Sequence, residues 1–411
     1  MFLYLLTDMV YIIVELYANE GYTISSSVEQ MFIKLATISS KDTSSDNGAV
    51  VFLKVIFKLL QGDKMKNVIA VVWDFDKTLI DGYMQDPLFE EYHINSAQFW
   101  VEVNALPEKY KKLGVEVNKD TVYLNYLIQY AHEHDLSDLN NEKLKGYGKK
   151  LNFYPGAIEL IRYLNNDILK NHSDLDKEHP KQYSEYGIKV ENYVVSTGIK
   201  KIIEGSELAP LLEHYWGCEL IDSDMIDKNA GQSMIADVGY TIDNTTKTRA
   251  LFEINKGIPQ DPDLEVNAKI PEDMRRVKFK NMIYIADGPS DIPAFSLINK
   301  NGGSTFAIYP KGNQKAFQQV EQLREDGRIN MFAEADYRER TTAYMWITNK
   351  VLEIANRICN EERAHDSQTT KDSIGCHFDS HKNEEITKPS HIIPGYLIGQ
   401  SGSVFTKKQR G

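Results

Sequence analysis

The chain has 411 residues, a formal net charge of −12 and 26% charged residues, and its length leaves room for two domains plus extensions. This acidic balance argues against a nucleic acid or an anionic membrane surface as the main partner. The three cysteines, Cys218, Cys359 and Cys376, do not make a disulfide framework, so we expect a reducing, cytoplasmic environment.

Residues 1–64 are predicted to be an accessory or non-native extension that takes no part in chemistry. Met1–Ala18 is apolar, but it lacks a basic n-region and a cleavage site, and acidic residues interrupt it too early for a bilayer span. Met65, just before the first buried strand, is the expected functional start. No membrane partner is expected. The alternative is a membrane-surface or partner helix formed by Ala49–Leu60, which carries two lysines.

The segment Val68–Ile80, VIAVVWDFDKTLI, is an apolar run that ends in Asp74 and Asp76, followed by Thr78. A continuous apolar run predicts a central parallel strand buried on both faces. Alternate residues of an extended chain face the same side, and ligands of such sheets sit beyond the carboxyl ends of the strands. We therefore expect both aspartates at the mouth of an open α/β site. The alternative for this pattern alone is a turn or a helix cap.

Residues 82–152 are predicted to be helical, because apolar residues recur at three- and four-residue spacing. The helical segments are LFEEY, SAQFWVEVNAL, TVYLNYLIQYAHEH and NEKLKGYGKKL. We expect the aromatic residues of this stretch to pack mainly between helices rather than to contact a substrate. These are Tyr83, Phe89, Tyr92, Phe99, Trp100, Tyr123, Tyr126 and Tyr130.

A second strand is predicted over YVVSTGIK, Tyr193–Lys200, with Ser196, Thr197 and Gly198 opening a helix. A helix N-terminus offers free N–H groups to an anion, so these residues are candidate phosphate ligands. Before this strand, a helix is expected to run from Tyr154 through Leu164. The polar stretch Asn171–Lys189 is predicted to be a surface loop.

Short strands and turns are predicted between Gly205 and Asn244, including Ser233–Tyr240. NTTKTRAL then places Lys247 in the first turn of a helix. NMIYIADGPSDIPAF reads as a third apolar strand, which ends in Asp287, Gly288 and Asp291. Three strands thus deliver polar groups to one edge of the sheet.

The C-terminal part is predicted to contain one more core strand, Ser304–Tyr309, and a long helix, Tyr337–Arg363. Residues 364–411 are polar and weakly patterned, and we expect a largely disordered tail. Cys376 with His377 and His381 has no second cysteine nearby, so we do not expect a zinc site there.

Taken in chain order, these segments resemble the haloacid dehalogenase-like hydrolase superfamily, in particular its phosphatase branch with a helical C1-type cap. The matching residues are Asp74, Asp76, Thr78, Ser196, Lys247, Asp287 and Asp291. The resemblance implies an α/β fold with a Rossmann-like, doubly wound parallel sheet as its core. We expect this core to comprise residues 65–81 and 153–363, with residues 82–152 inserted as the cap.

A phosphate monoester is anionic, so a carboxylate can approach it only where positive charge is supplied. Mg²⁺ prefers carboxylate oxygens, and Asp74, Asp287 and Asp291 are its side-chain candidates. The resemblance adds the backbone carbonyl of Asp76. Lys247 supplies a compact ammonium group, and the Ser196 to Gly198 segment supplies an anion cradle.

Within that cradle Asp74 is expected to attack phosphorus and form an aspartyl-phosphate. Asp76 is expected to protonate the leaving alcohol and then to activate the hydrolytic water. Thr78 is expected to steady the loop that carries Asp76.

The substrate is left as a small phosphorylated metabolite. Phosphoserine phosphatases share much of the motif pattern but add a cap arginine, and this chain has none from Asp81 through Leu160. Lysines at 109, 111 and 112 are imperfect substitutes. Dehalogenation is disfavoured, because it has no use for a second aspartate or a Mg²⁺ site. The alternatives are a phosphotransferase using the same intermediate and a non-catalytic binding protein on this fold; the oligomeric state is left open.

Overall fold

The computed structural model describes residues 67–170, 178–227, 231, 233–261 and 263–375. The predictions for residues 1–64, for the start at Met65 and for the tail beyond Gly375 lie outside these residues, as does the zinc question at Cys376. Described residues up to His365 belong to one compact unit, and residues 366–375 belong to a second and are helical.

The described residues form a seven-stranded sheet with the order β4-β3-β2-β1-β5-β6-β7. Neighbouring strands are parallel except β3 and β4, which are antiparallel. The sheet is flanked by helices, which makes the fold a mostly parallel α/β fold, as predicted. The strands are β1 (Val68–Trp73), β2 (Lys189–Ile199), β3 (His214–Asp222), β4 (Ile235–Tyr240), β5 (Met282–Ala286), β6 (Ser304–Tyr309) and β7 (Met331–Glu334).

The central position of β1 follows from its sequence. Every residue of Val68–Trp73 is at most 1% exposed, as expected for a strand covered on both faces. Val72 lies between Tyr193 of β2 and Tyr284 of β5 in the register of the sheet. The carboxyl ends of these three strands therefore meet at one edge, where the candidate site lies.

The helices differ widely in length, and short 3₁₀ turns separate several of them. They are α1 (Asp86–Glu91), α2 (Ser96–Lys112), α3 (Val122–Glu133), α4 (Asn141–Tyr147), α5 (Ala157–Asn166), α6 (Glu178–Glu185), α7 (Lys200–Glu204), α8 (Ser223–Ile226), α9 (Lys247–Lys256), α10 (Ile292–Lys300), α11 (Gln314–Glu325) and α12 (Thr342–Gly375). Within the described residues, no helix has both the length and the apolar character needed to cross a membrane.

Residues 82–152, all of them described, contain α1–α4 between β1 and α5. Side-chain caps define the starts of two of these helices, because Asn95 accepts from the Gln98 N–H at 3.0 Å and Asn140 accepts from the Lys143 N–H at 2.9 Å. At its base the segment is joined by an antiparallel bridge between Ile80 and Phe153. Its assignment as a cap domain stays a prediction.

The aromatic side chains of this segment pack mostly against one another, as expected. Phe99 is 2% exposed, and its ring centroid lies 4.8 Å from that of Phe89 and 5.1 Å from that of Tyr126. Tyr83 also packs on Trp100, with ring centroids 5.3 Å apart, but it remains 37% exposed.

Some predicted elements need correction. Part of the expected loop Asn171–Lys189 is helical, because α6 spans Glu178–Glu185, and its buried Tyr183 fixes it to the core. The C-terminal helix begins at Thr342 and continues to Gly375, so the expected tail is helical over its first residues. The predicted strands at Ser304–Tyr309 and within Ser233–Tyr240 are confirmed.

Candidate active site

A buried lysine joins two carboxylates at the carboxyl edge of the sheet. Lys247 Nζ lies 2.6 Å from Asp74 Oδ1 and 2.7 Å from Asp291 Oδ1. Lys247 is the first residue of α9 and is only 1% exposed. The segments that carry these groups are far apart in sequence, so the fold brings together three of the predicted residues.

Asp291 is fully buried and is held by two further donors. The Tyr284 hydroxyl donates to Asp291 Oδ1 at 2.5 Å, and Ser290 Oγ donates to Oδ2 at 2.8 Å. Sequence reasoning missed Tyr284, although its position in the apolar strand before Asp287 was a usable signal. A buried phenol needs a hydrogen-bond partner, and the nearby carboxylates were candidates for that partner.

Asp74 is held on both carboxylate oxygens. Oδ1 contacts Lys247, and Oδ2 accepts from Thr78 Oγ1 at 3.2 Å. Thr78 therefore contacts Asp74 directly rather than only steadying the loop of Asp76. The Thr78 carbonyl accepts from the Tyr337 hydroxyl at 2.5 Å, which anchors the turn from a distant part of the chain.

The second aspartate, Asp76, faces a different neighbour. Its Oδ1 accepts from the backbone N–H of Met84 at 2.8 Å. Burial and the nearby Asp74 carboxylate raise the pKa of Asp76 to about 8. A carboxyl group with such a pKa holds its proton near neutral pH, which suits a proton donor.

Burial raises the pKa of two more carboxyls. For Asp74 the pKa rises to about 6, since burial and Asp291 outweigh the opposing effect of Lys247. For Asp287 the pKa rises to about 7 because of burial and the charges of Asp74 and Asp291. Together with Asp76 and Asp291, four carboxyl groups surround one lysine. When they ionise, their negative charge exceeds the single positive charge of Lys247.

This surplus fits a divalent cation. Single oxygens of Asp74, Asp287 and Asp291 lie within 4.8 Å of one another. Among the described residues, no hydrogen-bond donor contacts the Asp287 carboxylate. Three hard oxygen donors whose combined charge exceeds that of Lys247 match the ligand preference of Mg²⁺. The Asp76 carboxylate is not part of this cluster, and the expected contribution of its backbone carbonyl stays a prediction.

The Ser196 to Gly198 segment differs from its predicted form. These residues still belong to β2, and the helix that follows begins only at Lys200. The N–H of Gly198 donates to Ser196 Oγ at 2.9 Å, and the N–H of Ile199 contacts Met84 Sδ at 3.0 Å. The expected helix start at Ser196 to Gly198 is therefore wrong, because the chain stays extended through Ile199. The role of these three residues in phosphate binding stays a prediction.

Gly198 lies close to two side chains of the site. A Cβ atom at this position would lie 2.3 Å from Met84 Cε and 3.2 Å from Asp76 Oδ2. Gly198 thus lets the end of β2 approach Asp76 closely. The neighbouring Thr197 carbonyl accepts from the Tyr123 hydroxyl at 3.0 Å, which ties α3 to the same edge.

Among curated proteins, the chain is similar to an uncharacterized protein of Borreliella burgdorferi. The two are 36% identical over 300 residues, which cover 70% of this chain and 98% of that protein. No family model matches the chain.

Solved structures with a similar course of the chain are more distant. A HAD family hydrolase from Salmonella enterica serovar Typhi is 12% identical, with 69% of this chain and 74% of that chain covered and a TM-score of 0.39. A probable phosphoserine phosphatase from Vibrio cholerae is 12% identical, with 74% and 73% covered and a TM-score of 0.40. A phosphoserine phosphatase in apo form is 18% identical, with 67% and 96% covered and a TM-score of 0.37.

Proposed function

The chain belongs to the same family as the Borreliella burgdorferi protein. We propose that it is a haloacid dehalogenase-like hydrolase, and specifically a Mg²⁺-dependent phosphomonoester hydrolase. The reaction would pass through an aspartyl-phosphate, and the substrate would be a small phosphorylated metabolite. One observation carries the proposal: a buried carboxylate, Asp74, is held by Lys247 and Thr78 beside three further carboxyls.

Asp74 is the proposed nucleophile. Its contacts with Lys247 and Thr78 fix the orientation of the carboxylate, and fixed geometry is a large part of catalysis in phosphoryl transfer. The Asp74 carboxylate oxygen forms a bond to phosphorus, and the bond from phosphorus to the leaving oxygen breaks.

Asp76 is the proposed acid and base. Its raised pKa keeps a proton available for the leaving alcohol in the first step. After transferring that proton, the Asp76 carboxylate can accept a proton from the water that attacks the aspartyl-phosphate. One residue serves both steps because the proton moves in opposite directions.

Lys247 supplies a fixed positive charge beside Asp74 throughout the reaction. Burial lowers its pKa, but the carboxylates of Asp291 and Asp74 more than offset this, so the pKa lies above its usual range and the ammonium persists. When bound by Asp74, Asp287 and Asp291, Mg²⁺ would neutralise charge on the phosphoryl oxygens. Ser196 Oγ, 1% exposed at the end of β2, is the proposed hydroxyl ligand of the phosphate, with Thr197 and Gly198 shaping its surroundings.

The test uses Asp76→Asn with p-nitrophenyl phosphate and Mg²⁺. Nitrophenolate leaves without protonation, so the first step should survive, whereas hydrolysis of the intermediate loses its base. Acid–base help is worth about 10²–10⁴-fold in rate. We expect a burst of nitrophenol and then a stalled phosphoenzyme, with mass spectrometry placing the phosphoryl group on Asp74.

The parent protein serves as the control and should turn over steadily in Mg²⁺ and stop in EDTA. Steady turnover in chelator, or a phosphoryl group on another residue, would contradict the proposal. Added alcohols distinguish hydrolysis from transfer, since a phosphotransferase would form new phosphate esters.

A further inference from the structure

The segment that follows the catalytic aspartates carries buried polar atoms without partners. Gln85 is 2% exposed and its Oε1 is buried. Trp100 Nε1 is also buried. Among the described residues, neither atom has a hydrogen-bond partner. A buried polar atom without a partner is costly, so such atoms need an explanation.

These side chains lie beside the proposed acid. Gln85 follows Met84, whose N–H bonds the Asp76 carboxylate at 2.8 Å. Burial raises the pKa of Tyr123 well above its usual range, with the charge of Asp76 adding to the effect and a hydrogen bond from the Gln85 side chain opposing it. The Trp100 ring lies 5.7 Å from the Tyr123 ring. Gln85, Trp100 and Tyr123 therefore form one polar cluster close to Asp76.

The cluster contains no charged group, and the cations of residues 82–152 are engaged elsewhere or exposed. Lys143 pairs with Glu91 and Asp138, and Lys145 pairs with Glu204. The remaining lysines are Lys150, which pairs with Glu91, and the exposed Lys109, Lys111, Lys112, Lys119 and Lys149.

At the mouth of the site, the Lys77 ammonium lies against Tyr83. It donates to the Tyr83 hydroxyl at 2.6 Å and lies 4.0 Å from the centre of that ring. Gln85, Trp100 and Tyr123 thus carry no charge themselves, and none of the described lysines of residues 82–152 pairs with them. The positive charge of Lys77 lies at Tyr83, at the edge of the cluster.

We propose that Gln85, Trp100 and Tyr123 form a leaving-group pocket that selects phosphate esters of uncharged, hydroxyl-bearing alcohols. This inference rests on the proposed phosphatase function. The Trp100 N–H would donate to a hydroxyl oxygen of the alcohol, and Gln85 Oε1 would accept from a hydroxyl hydrogen. The aromatic rings of Tyr83 and Trp100, 5.3 Å apart, would cover its carbon atoms.

The first experiment measures kcat/KM of the full chain in Mg²⁺ with four esters that differ in leaving-group charge. Glycerol 3-phosphate has a neutral alcohol, phosphocholine a cationic one, 3-phosphoglycerate an anionic one and phosphoserine a zwitterionic one. We expect the neutral ester to be preferred by about 10-fold or more, because a buried unpaired charge is costly. Equal or better turnover of any charged ester would overturn the inference.

The second experiment changes the pocket. Trp100→Phe removes the N–H donor and should raise KM for glycerol 3-phosphate by about 3- to 10-fold, with a smaller change in kcat. Gln85→Glu replaces an amide by a carboxylate of the same shape, which should attract a cationic alcohol. The ratio of kcat/KM for phosphocholine to kcat/KM for glycerol 3-phosphate should rise by about 10-fold. An unchanged ratio in both variants would overturn the inference.

The matched control is Trp346→Phe. Trp346 stacks on Phe306 with ring centroids 4.6 Å apart, on α12 and away from the pocket, so its substitution should not alter substrate preference. p-Nitrophenyl phosphate separates the two proposals. If the parent protein hydrolyses it but does not prefer neutral esters, only the pocket assignment fails; if it releases no nitrophenol in Mg²⁺, both fail.

Discussion

Two clusters of buried charged side chains lie along neighbouring strands of the sheet. They differ in whether the negative charges are matched by positive ones. The site cluster follows the last residue of β1, where Lys247 faces Asp74, Asp291 and two further carboxyls. The second cluster centres on Glu191, which pairs with Ala70 in the first half of β1. Both are removed from water, so the difference between them comes from their partners.

The Glu191 cluster is saturated. Both carboxylate oxygens accept from the Arg276 guanidinium, and Lys189 and the Tyr193 hydroxyl also contact them. Burial favours the neutral form, but these contacts more than offset it and the pKa of Glu191 lies below its usual range. At the site, by contrast, the pKa values of Asp74, Asp76 and Asp287 are raised. A carboxylate whose charge is matched by cationic partners stabilises the fold, whereas carboxylates with excess negative charge favour the binding of a cation.

The sharpest test of this contrast is Asp74→Asn. The variant lacks the attacking oxygen anion, so kcat with p-nitrophenyl phosphate should fall by about 10⁴-fold or more, without any phosphoenzyme. Its melting temperature in EDTA should equal or exceed that of the parent, because a carboxylate with a raised pKa is a destabilising one. Steady-state kinetics and calorimetry measure the two quantities. A variant that keeps turning over would remove Asp74 from its proposed role.

Glu191→Gln should lower stability and leave activity unchanged. It leaves the half-buried Arg276 guanidinium with a neutral partner, and the free energy of unfolding should fall by about 2 kcal/mol. Its kcat per folded molecule should stay near that of the parent, since within the described part of the chain no contact links Glu191 to Asp74.

The control for Glu191→Gln is Glu353→Gln. Glu353 pairs with Lys350 but its side chain is 62% exposed, so its loss should change stability by less than about 0.5 kcal/mol. Chemical denaturation measures both variants. Equal destabilisation by the two would show that saturation of the buried cluster contributes nothing specific.

The sequence predicted the carboxyl edge of the sheet because strand ends carry a local signal. The apolar runs before Asp74 and Asp287 are short, continuous and followed by carboxylates, and each forms a strand where expected. Lys247 begins a helix, as its position in NTTKTRAL indicated. These features depend on neighbouring residues, and a pattern of neighbours can be read in the sequence.

Features that depend on distant residues could not be predicted in this way. The helix after β2 starts at Lys200 instead of within Ser196 to Gly198, because the strand continues to Ile199. The N–H of Ile199 contacts Met84 Sδ, and Met84 is far away in sequence. Tyr337 likewise reaches the Thr78 carbonyl from near the C-terminal helix. Such contacts exist only once the chain has folded.

The metal-free site should make stability depend on pH in an unusual direction. In the unfolded chain the pKa of these carboxyls is near 3.8, whereas in the folded protein it is about 6 for Asp74, about 7 for Asp287 and about 8 for Asp76. The folded state therefore holds more protons between these values, and the free energy of unfolding falls as pH rises. The contribution is full below about pH 4 and is lost as pH rises through the folded values.

We therefore expect the melting temperature in EDTA to fall as pH rises from about 6 to about 8. Mg²⁺ should oppose this fall, because a ligand that binds the folded state stabilises it. Asp287→Asn should respond less to Mg²⁺ and need more of it for half-maximal rate. A melting temperature that rises with pH in EDTA, or an undiminished Mg²⁺ effect in the variant, would contradict the assignment of the carboxylate cluster.

The smallest expected effect concerns the hydroxyl that completes the hold on Asp74. Thr78 is fully buried, and its Oγ1 donates to Asp74 Oδ2 at 3.2 Å, the longer of the two contacts that orient this carboxylate. Thr78→Val keeps the shape and removes the donor, whereas Thr78→Ser keeps the donor and removes a methyl group. The Tyr337 hydroxyl bonds the backbone carbonyl of residue 78, so both variants retain that anchor. If this hydrogen bond orients Asp74, Thr78→Val should lower kcat by about 3- to 10-fold, while Thr78→Ser should stay near the parent rate. Thr78→Ser should lose more stability, because it leaves a small cavity. Equal rates for the two variants would mean that Lys247 alone orients Asp74.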